Sequence, residues 1–142
     1  FLHQKDALVR GRGDLISNIF FPKYYFLLIK PSFMCSTQKM YNSLQSIDLE
    51  YNKELDLEEI NDQDNGNDFE KILNKNQPEF SSLINYLENL EGSIFSRLTG
   101  SGSCLFSVFE NKQEAANAKE VVSRDNSHLW IEIAENNNLN LF

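Results

Sequence analysis

RLTGSGSCLFSVF, Arg97–Phe109, places a loop of very small residues directly before a run of large apolar ones. Within it, two glycines alternate with three hydroxyl residues over Thr99–Ser103, here called the glycine loop. Because glycine adopts backbone angles that other residues avoid, this pattern is typical of a tight loop between two strands. The sequence therefore predicts strands at Ser93–Leu98 and Cys104–Phe109. The second is apolar on both faces, which is typical of a strand inside a sheet covered on both sides or packed against another domain.

The segments on either side of this pair predict the fold. The expected elements are a strand at Tyr24–Pro31, a short helix capped by Ser36 or Thr37, a helix opened by a capping box of Asn67 and Glu70, a helix from Pro78, a helix from Asn111 and a last strand at His128–Ala134. Two strands joined by a tight loop and flanked by strand–helix units indicate an α+β fold. We expect a ferredoxin-like split βαβ sandwich, with an antiparallel sheet and helices on one face.

The 142 residues fit one domain, and 41% of them are hydrophobic. Residues 1–22 are expected to be a segment that leads into the domain, and residues 46–66 an acidic, flexible excursion. A calcium loop around Gly66 fails on register, because Ile72 stands where a bidentate glutamate is needed. The chain begins on Phe1 without an initiator methionine, which favours a piece of a longer protein.

The composition excludes several kinds of site and partner. A net charge of −8 disfavours binding to nucleic acid or to an anionic membrane surface. The longest apolar stretch, Tyr24–Ile29, is too short to span a membrane. Cys35 and Cys104 lack zinc-site spacing and are expected to be reduced thiols, which favours a cytoplasmic protein. His3 and His128 have no nucleophile beside them in the sequence, so no catalytic pair is predicted.

The glycine loop has two interpretations from its residues alone. Gly100 and Gly102 permit positive φ, so the loop could be a structural hairpin turn. Alternatively, successive backbone N–H groups could point into one concavity and bind an anion, with hydroxyl donors from the neighbouring residues. It is not a Walker loop, because no lysine follows the glycines. Both interpretations stay open on these residues.

Three stretches together resemble the GHMP small-molecule kinases. They are SRLTGSGSCLFSVFENKQEAANA (Ser96–Ala118), NDFE (Asn67–Glu70), and GRGDLISNI with YYFLLIKPSFMCSTQKMYNSL (Gly11–Ile19 and Tyr24–Leu44). The first is similar to the family's third conserved motif, and the second to the start of a helix in its C-terminal domain. The third resembles the domain entry, the first strand and the following helix start of the member whose substrate carries a cytidyl diphosphate group. The resemblance covers nearly the whole chain and is weakest in the acidic excursion.

This resemblance implies the C-terminal, substrate-side domain of a two-domain kinase that phosphorylates a small-molecule alcohol. In the family, the phosphate loop, a lysine, a histidine and the catalytic aspartate belong to an N-terminal domain, and this sequence contains none of them. The resemblance therefore implies that ATP and Mg²⁺ serve the complete enzyme and are not bound by this domain alone. It also implies no catalytic residue and no metal ligand in residues 1–142, and no phosphate transfer without the partner domain.

Individual residues take roles by the same resemblance. Those expected to line the cleft near the substrate and the transferred phosphate are Thr99, Gly100, Ser101, Gly102 and Ser103. Thr37 and Tyr41 match positions of the cytidyl-substrate pocket, where an aromatic side chain packs against the cytosine ring. Some members have a proline where this chain has Gln38. For Tyr41 the alternative is core packing together with Met40 and Leu44.

Other functions compete with this one. The chain could be a stand-alone ferredoxin-like binding or regulatory module without a phosphotransfer role. It could also be the C-terminal domain of another GHMP kinase, of the homoserine or mevalonate type. Isolated domains could in addition self-associate through the surface that a partner domain would cover.

Overall fold

The computed structural model describes residues 7–10, 12–18, 22–45 and 66–136. In chain order the elements are β1 (Ala7–Arg10), β2 (Leu15–Asn18), β3 (Tyr25–Lys30), α1 (Thr37–Leu44), α2 (Asp68–Asn76), α3 (Pro78–Glu88), β4 (Phe95–Leu98), β5 (Leu105–Phe109), α4 (Lys112–Asp125) and β6 (Trp130–Glu135). Four of the strands form an antiparallel sheet in the order β4-β5-β3-β6. This is the order expected of a ferredoxin-like split βαβ fold, so the predicted α+β fold class is confirmed.

The strand β3 lies in the interior of the sheet, between β5 and β6. Leu27 pairs with Ser107 on one side and with Ile133 on the other. Side chains alternate between the two faces, so Leu27 and Ile29 point to the same face, and both are fully buried. The apolar stretch in the sequence therefore corresponds to the strand with two neighbours, as its composition predicted.

The main core lies between one face of this sheet and the helices. Its buried members from the sheet are Leu27, Ile29, Leu98, Leu105, Phe109 and Ile131, and from the helices Met40, Phe69, Ile72, Leu73, Phe80, Leu83, Ile84, Leu87, Ala115, Ala118 and Val122. The helices α2, α3 and α4 contact the sheet directly, whereas α1 packs on α2. As predicted, Asn111 caps α4 and Pro78 begins α3.

The opposite face of the sheet carries a row of aromatic side chains. The Phe106 ring centroid lies 6.1 Å from that of Phe26 and 6.1 Å from that of Phe95. The guanidinium of Arg97 stands 5.7 Å from the centre of the Phe95 ring, within cation–π range. Among the described residues, the ring contacts of this row are made between β3, β4 and β5. The second apolar face of β5, predicted from its alternation, is therefore packed within the sheet's own aromatic row.

The segment predicted only to lead into the domain contains a hairpin. Strands β1 and β2 pair antiparallel, with Val9 opposite Ile16. Gly13 has φ +91° in the turn and donates its N–H to Arg10 O at 3.2 Å. In the part of the chain that is described, this hairpin contacts no other helix or strand. The acidic excursion predicted at residues 46–66 lies outside the described residues except for Gly66.

Candidate functional site

The glycine loop is a tight turn between β4 and β5. Thr99 N–H donates to Cys104 O at 2.8 Å, and Gly102 N–H donates to Thr99 O at 3.0 Å. Gly100 and Gly102 have φ of +51° and +91°, the left-handed region that the sequence predicted for them. The hairpin interpretation of the loop therefore describes its backbone correctly.

The same geometry leaves part of the loop's backbone available to a ligand. The N–H groups of Gly100, Ser101 and Ser103 have no hydrogen-bond partner within the described part of the chain. Unpaired amides of a turn are good donors to an anion. The structural and anion-binding interpretations are thus compatible, because different amides of the same loop serve each.

The N-terminus of α1 lies against this loop. Thr37 is the first residue of the helix, and Ser36 caps it, with Ser36 Oγ accepting from Lys39 N–H at 3.5 Å. Thr37 Oγ1 lies 3.0 Å from Ser101 Oγ, across 64 residues of sequence. Two residues that the sequence analysis chose separately therefore meet in a hydroxyl pair. A helix N-terminus carries partial positive charge, which adds to the attraction for an anion at this place.

Tyr41 stands one turn further along α1 and is 58% exposed. Its ring contacts Phe69 of α2 edge-on, with centroids 5.0 Å apart and an interplanar angle of 82°. The neighbouring Met40 is the residue that enters the core, at 5% exposure. The alternative that Tyr41 serves as core packing is therefore wrong: one edge of the ring is supported by Phe69 while more than half of the side chain is open.

Two residues of the NDFE stretch hold the glycine loop from the other side. Asn67 Nδ2 donates to Leu98 O at 2.9 Å and to Gly100 O at 2.8 Å. Glu70 Oε1 accepts from Leu98 N–H at 2.6 Å. Asn67 also caps α2, with Oδ1 accepting from Phe69 N–H at 3.0 Å. We call Asn67 and Glu70 together the α2 clamp.

The α2 clamp corrects the predicted capping box. In a capping box the third helical residue would turn back to the N-cap backbone. Here the Glu70 carboxylate instead reaches β4, and burial there raises its pKa, with the charge of Glu88 acting in the same direction. Sequence reasoning recognised NDFE as a helix start but missed its contact with the loop, for which the pattern of four residues carries no signal.

Gly102 is confined by packing as well as by its φ. A Cβ at this position would lie 2.9 Å from Cys35 Sγ, closer than real Cβ atoms approach, and 3.3 Å from Leu98 Cδ1, a tight contact. Burial raises the pKa of the Cys35 thiol, so it is held in the neutral form. Cys35 and Cys104 are both free thiols. Cys35 therefore serves as packing beneath the loop.

The described residues do not fit a metal site. None of the described ranges brings together three or more histidine, cysteine, aspartate or glutamate side chains that could hold an ion. The unpaired polar groups described on the loop are backbone N–H donors, which suit an anion, and the Glu70 carboxylate beside the loop is bound to Leu98 N–H. Within the same residues, no helix combines the length and apolar character needed to cross a membrane.

Comparison with known proteins places this geometry in a family. The family model described as GHMP kinases C terminal matches residues 45–128, more than half of the chain. The chain belongs to this family. The predicted resemblance to a GHMP kinase C-terminal domain is thereby confirmed, and the matched range includes the α2 clamp and the glycine loop.

Two curated relatives carry the same name. A protein of Mannheimia succiniciproducens named 4-diphosphocytidyl-2-C-methyl-D-erythritol kinase is 35% identical over 116 residues, which are 81% of this chain and 36% of that protein. A protein of Pelagibacter ubique with the same name is 30% identical over 137 residues, which are 87% of this chain and 45% of that protein. The chain thus spans less than half the length of these relatives.

A solved structure supports the fold. The crystal structure of a 4-(cytidine 5'-diphospho)-2C-methyl-D-erythritol kinase superposes with a TM-score of 0.68 at 20% sequence identity. The superposition covers 89% of this chain and 48% of that one. At this identity the likeness establishes a shared fold, in agreement with the strand order and the helical layer described above.

Proposed function

We propose that this chain is the substrate-side domain of an ATP-dependent kinase that phosphorylates the 2-hydroxyl of 4-diphosphocytidyl-2-C-methyl-D-erythritol, in non-mevalonate isoprenoid (terpenoid) biosynthesis. The parent protein is then a phosphotransferase with an alcohol acceptor. A partner domain, absent from these 142 residues, supplies the catalytic residues together with ATP and Mg²⁺ binding. Residues 1–142 act as one domain that supplies walls of the substrate pocket.

The contact between Thr37 and Ser101 carries this proposal. Their 3.0 Å hydroxyl pair brings the helix α1 N-terminus and the glycine loop to one place. The N–H groups of Thr37, Gly100 and Ser103 close to this pair have no partner in the described residues. Preorganised donors of this kind stabilise negative charge that spreads over phosphoryl oxygens during transfer. Such a site suits a substrate that carries a diphosphate and accepts a further phosphoryl group.

Tyr41 supports the cytidyl part of the proposal. The exposed tyrosine lies one helical turn from Thr37, so a base stacked on its ring would keep the attached diphosphate near the hydroxyl pair. Its edge contact with Phe69 fixes the ring orientation, which reduces the entropy lost when a ligand stacks on it. Stacking on a nucleobase is well suited to a partly exposed aromatic ring.

The experiment that tests the proposal extends the protein upstream and assays ADP release. We expect release to depend on both ATP and 4-diphosphocytidyl-2-C-methyl-D-erythritol. Phosphorylation of homoserine or mevalonate instead would reject this substrate and retain only a GHMP kinase. No upstream coding sequence and no phosphotransfer would favour a stand-alone binding or regulatory module.

Matched variants of the extended enzyme test the pocket. Tyr41→Ala should raise KM for the cytidyl substrate about fivefold or more, because stacking of a base on an aromatic ring contributes about 1–3 kcal/mol. Trp130→Ala is the control: Trp130 is similarly exposed, at 51%, and begins β6, the edge strand of the sheet opposite to β4. Equal effects of the two substitutions would contradict a cytidyl site at Tyr41.

A further inference from the structure

We propose that Asn67 and Glu70 are positioning residues that set the conformation of the glycine loop. Their three hydrogen bonds all end on the backbone of Leu98 and Gly100, at the point where β4 passes into the loop. The residues are 28 to 33 positions away from their partners in the sequence. The loop is therefore held by side chains from the start of α2, a segment distant from the loop in the sequence.

The bonds are placed where they control the loop most directly. Gly100 has no atom within 4 Å of the position a Cβ would take, so side-chain packing does not fix its backbone there. The Gly100 carbonyl is instead fixed by Asn67 Nδ2 at 2.8 Å. Orienting a peptide carbonyl also orients the N–H of the next residue, because the peptide unit is planar. Asn67 thereby directs the unpaired N–H of Ser101, the residue whose hydroxyl meets Thr37.

Glu70, three residues after Asn67 in the first turn of α2, forms the third hydrogen bond of the α2 clamp. Its carboxylate accepts from Leu98 N–H while Asn67 donates to Leu98 O, so both polar groups of one β4 residue are bound to α2. A side chain that is more than half buried and carries a charge costs free energy unless it is hydrogen-bonded. The bond from Leu98 N–H offsets the cost of burying the Glu70 carboxylate. It also fixes the end of β4, where the loop begins.

The positioning role is inferred from these contacts, whereas the importance of the loop for phosphate transfer rests on the proposed function. The two are tested by different measurements. Amide hydrogen exchange in the 142-residue chain reports the loop, and turnover by the upstream-extended enzyme reports its use. A loop that loosens without loss of turnover would uphold the positioning role and show that phosphate transfer does not depend on the loop conformation, whereas absence of any turnover in the original extended enzyme would overturn the proposed function.

Asn67→Asp is the decisive variant. Aspartate keeps the oxygen that caps α2 through Phe69 N–H, but it has no donor for Leu98 O or Gly100 O. Loss of two hydrogen bonds should speed exchange of the Gly102 amide, which is bonded within the loop, about thirtyfold. The Phe69 amide should keep its protection.

Two outcomes would overturn the inference. One is unchanged exchange at Gly102 in Asn67→Asp. The other is equal acceleration at Gly102 and in α2, which would assign Asn67 to the stability of the whole domain. Asn67→Ser repeats the test without adding a charge, because serine also caps helices and its short side chain does not span both carbonyls. It should give the same selective acceleration.

A conservative pair tests Glu70. Glu70→Gln keeps an oxygen that can accept from Leu98 N–H, so exchange of the Leu98 amide should stay within a few-fold of the original. Glu70→Ala removes the acceptor and should speed this exchange about fivefold or more. Equal exchange in the two variants would show that the acceptor at position 70 does not hold β4.

Discussion

Replacing Gly102 by alanine should destabilise the domain more than the same change at Gly100. Both residues have positive φ, +91° and +51°. This region costs a residue with a Cβ about 1–2 kcal/mol. At Gly100 the new Cβ meets no atom within 4 Å, whereas at Gly102 it would lie 2.9 Å from Cys35 Sγ and 3.3 Å from Leu98 Cδ1.

The difference between the two variants follows from these contacts. Gly100→Ala should lose about 1–2 kcal/mol of unfolding free energy, because only the backbone is strained. Gly102→Ala adds overpacking, which costs about 1–3 kcal/mol more. Its total of about 2–5 kcal/mol is a large part of the stability of a typical domain, about 5–15 kcal/mol.

Urea unfolding of the three proteins measures both losses, with stability read from the midpoint at unchanged m-value. Cys35→Ala is the matched variant that reduces the steric clash, because it removes the sulfur nearest to the new Cβ. In a double-mutant cycle, Cys35→Ala should restore part of the overpacking loss of Gly102→Ala, because the Cβ of residue 35 and Leu98 Cδ1 stay 3.3 Å from the new Cβ, and should leave the backbone part unchanged. Equal losses for Gly100→Ala and Gly102→Ala, or zero coupling with Cys35, would refute the packing argument.

Two other outcomes are expected. Burial and the charge of Glu88 raise the pKa of Glu70 above its ordinary 4.5, even though its bond to Leu98 N–H acts in the opposite direction. The stability linked to Glu70 is therefore fully present below the unfolded pKa of this group and is lost as pH rises through its folded pKa. Urea midpoints measured from about pH 4 to about pH 7 should show this loss of stability in the original chain and not in Glu70→Gln. Separately, Ser96 and Ser107 are fully buried with their Oγ atoms 2.7 Å apart. Ser96→Ala should cost about 1–3 kcal/mol by leaving Ser107 Oγ unpaired, and adding Ser107→Ala should recover part of that loss; a simple sum of the two single losses would contradict the pairing.

Local sequence patterns were sufficient to predict most of the fold. Alternation and β-branched or aromatic composition located β3 and β5, because a strand buried in a sheet must be apolar where it packs. The caps at Asn67 and Asn111 were predicted, and Ser36 was one of two candidates for α1, because an N-cap depends on a few adjacent residues. The antiparallel order then followed from the short loop and the alternation of strands and helices.

What the sequence did not reveal depends on contacts between distant segments. The α2 clamp joins residues that only the folded chain brings together, and nothing in NDFE distinguishes a glutamate that faces its own helix from one that faces a strand. The orientation of Tyr41 was also undecided, since Met40 and Tyr41 are adjacent on a short helix and either could point inward. The hairpin of β1 and β2 was missed because its four-residue strands carry a weak pattern.

The α2 clamp also affects how this domain meets other chains. The strand β4 lies at the edge of the sheet, and the exposed backbone of an edge strand can pair with a strand from another molecule. Here Leu98 N–H and C=O are occupied by Glu70 and Asn67, and Ser96 O accepts from Arg97 Nη1 at 2.7 Å. A foreign strand would have to displace these side chains before it could extend the sheet. The contacts that hold the glycine loop therefore also protect this edge from aggregation by strand addition.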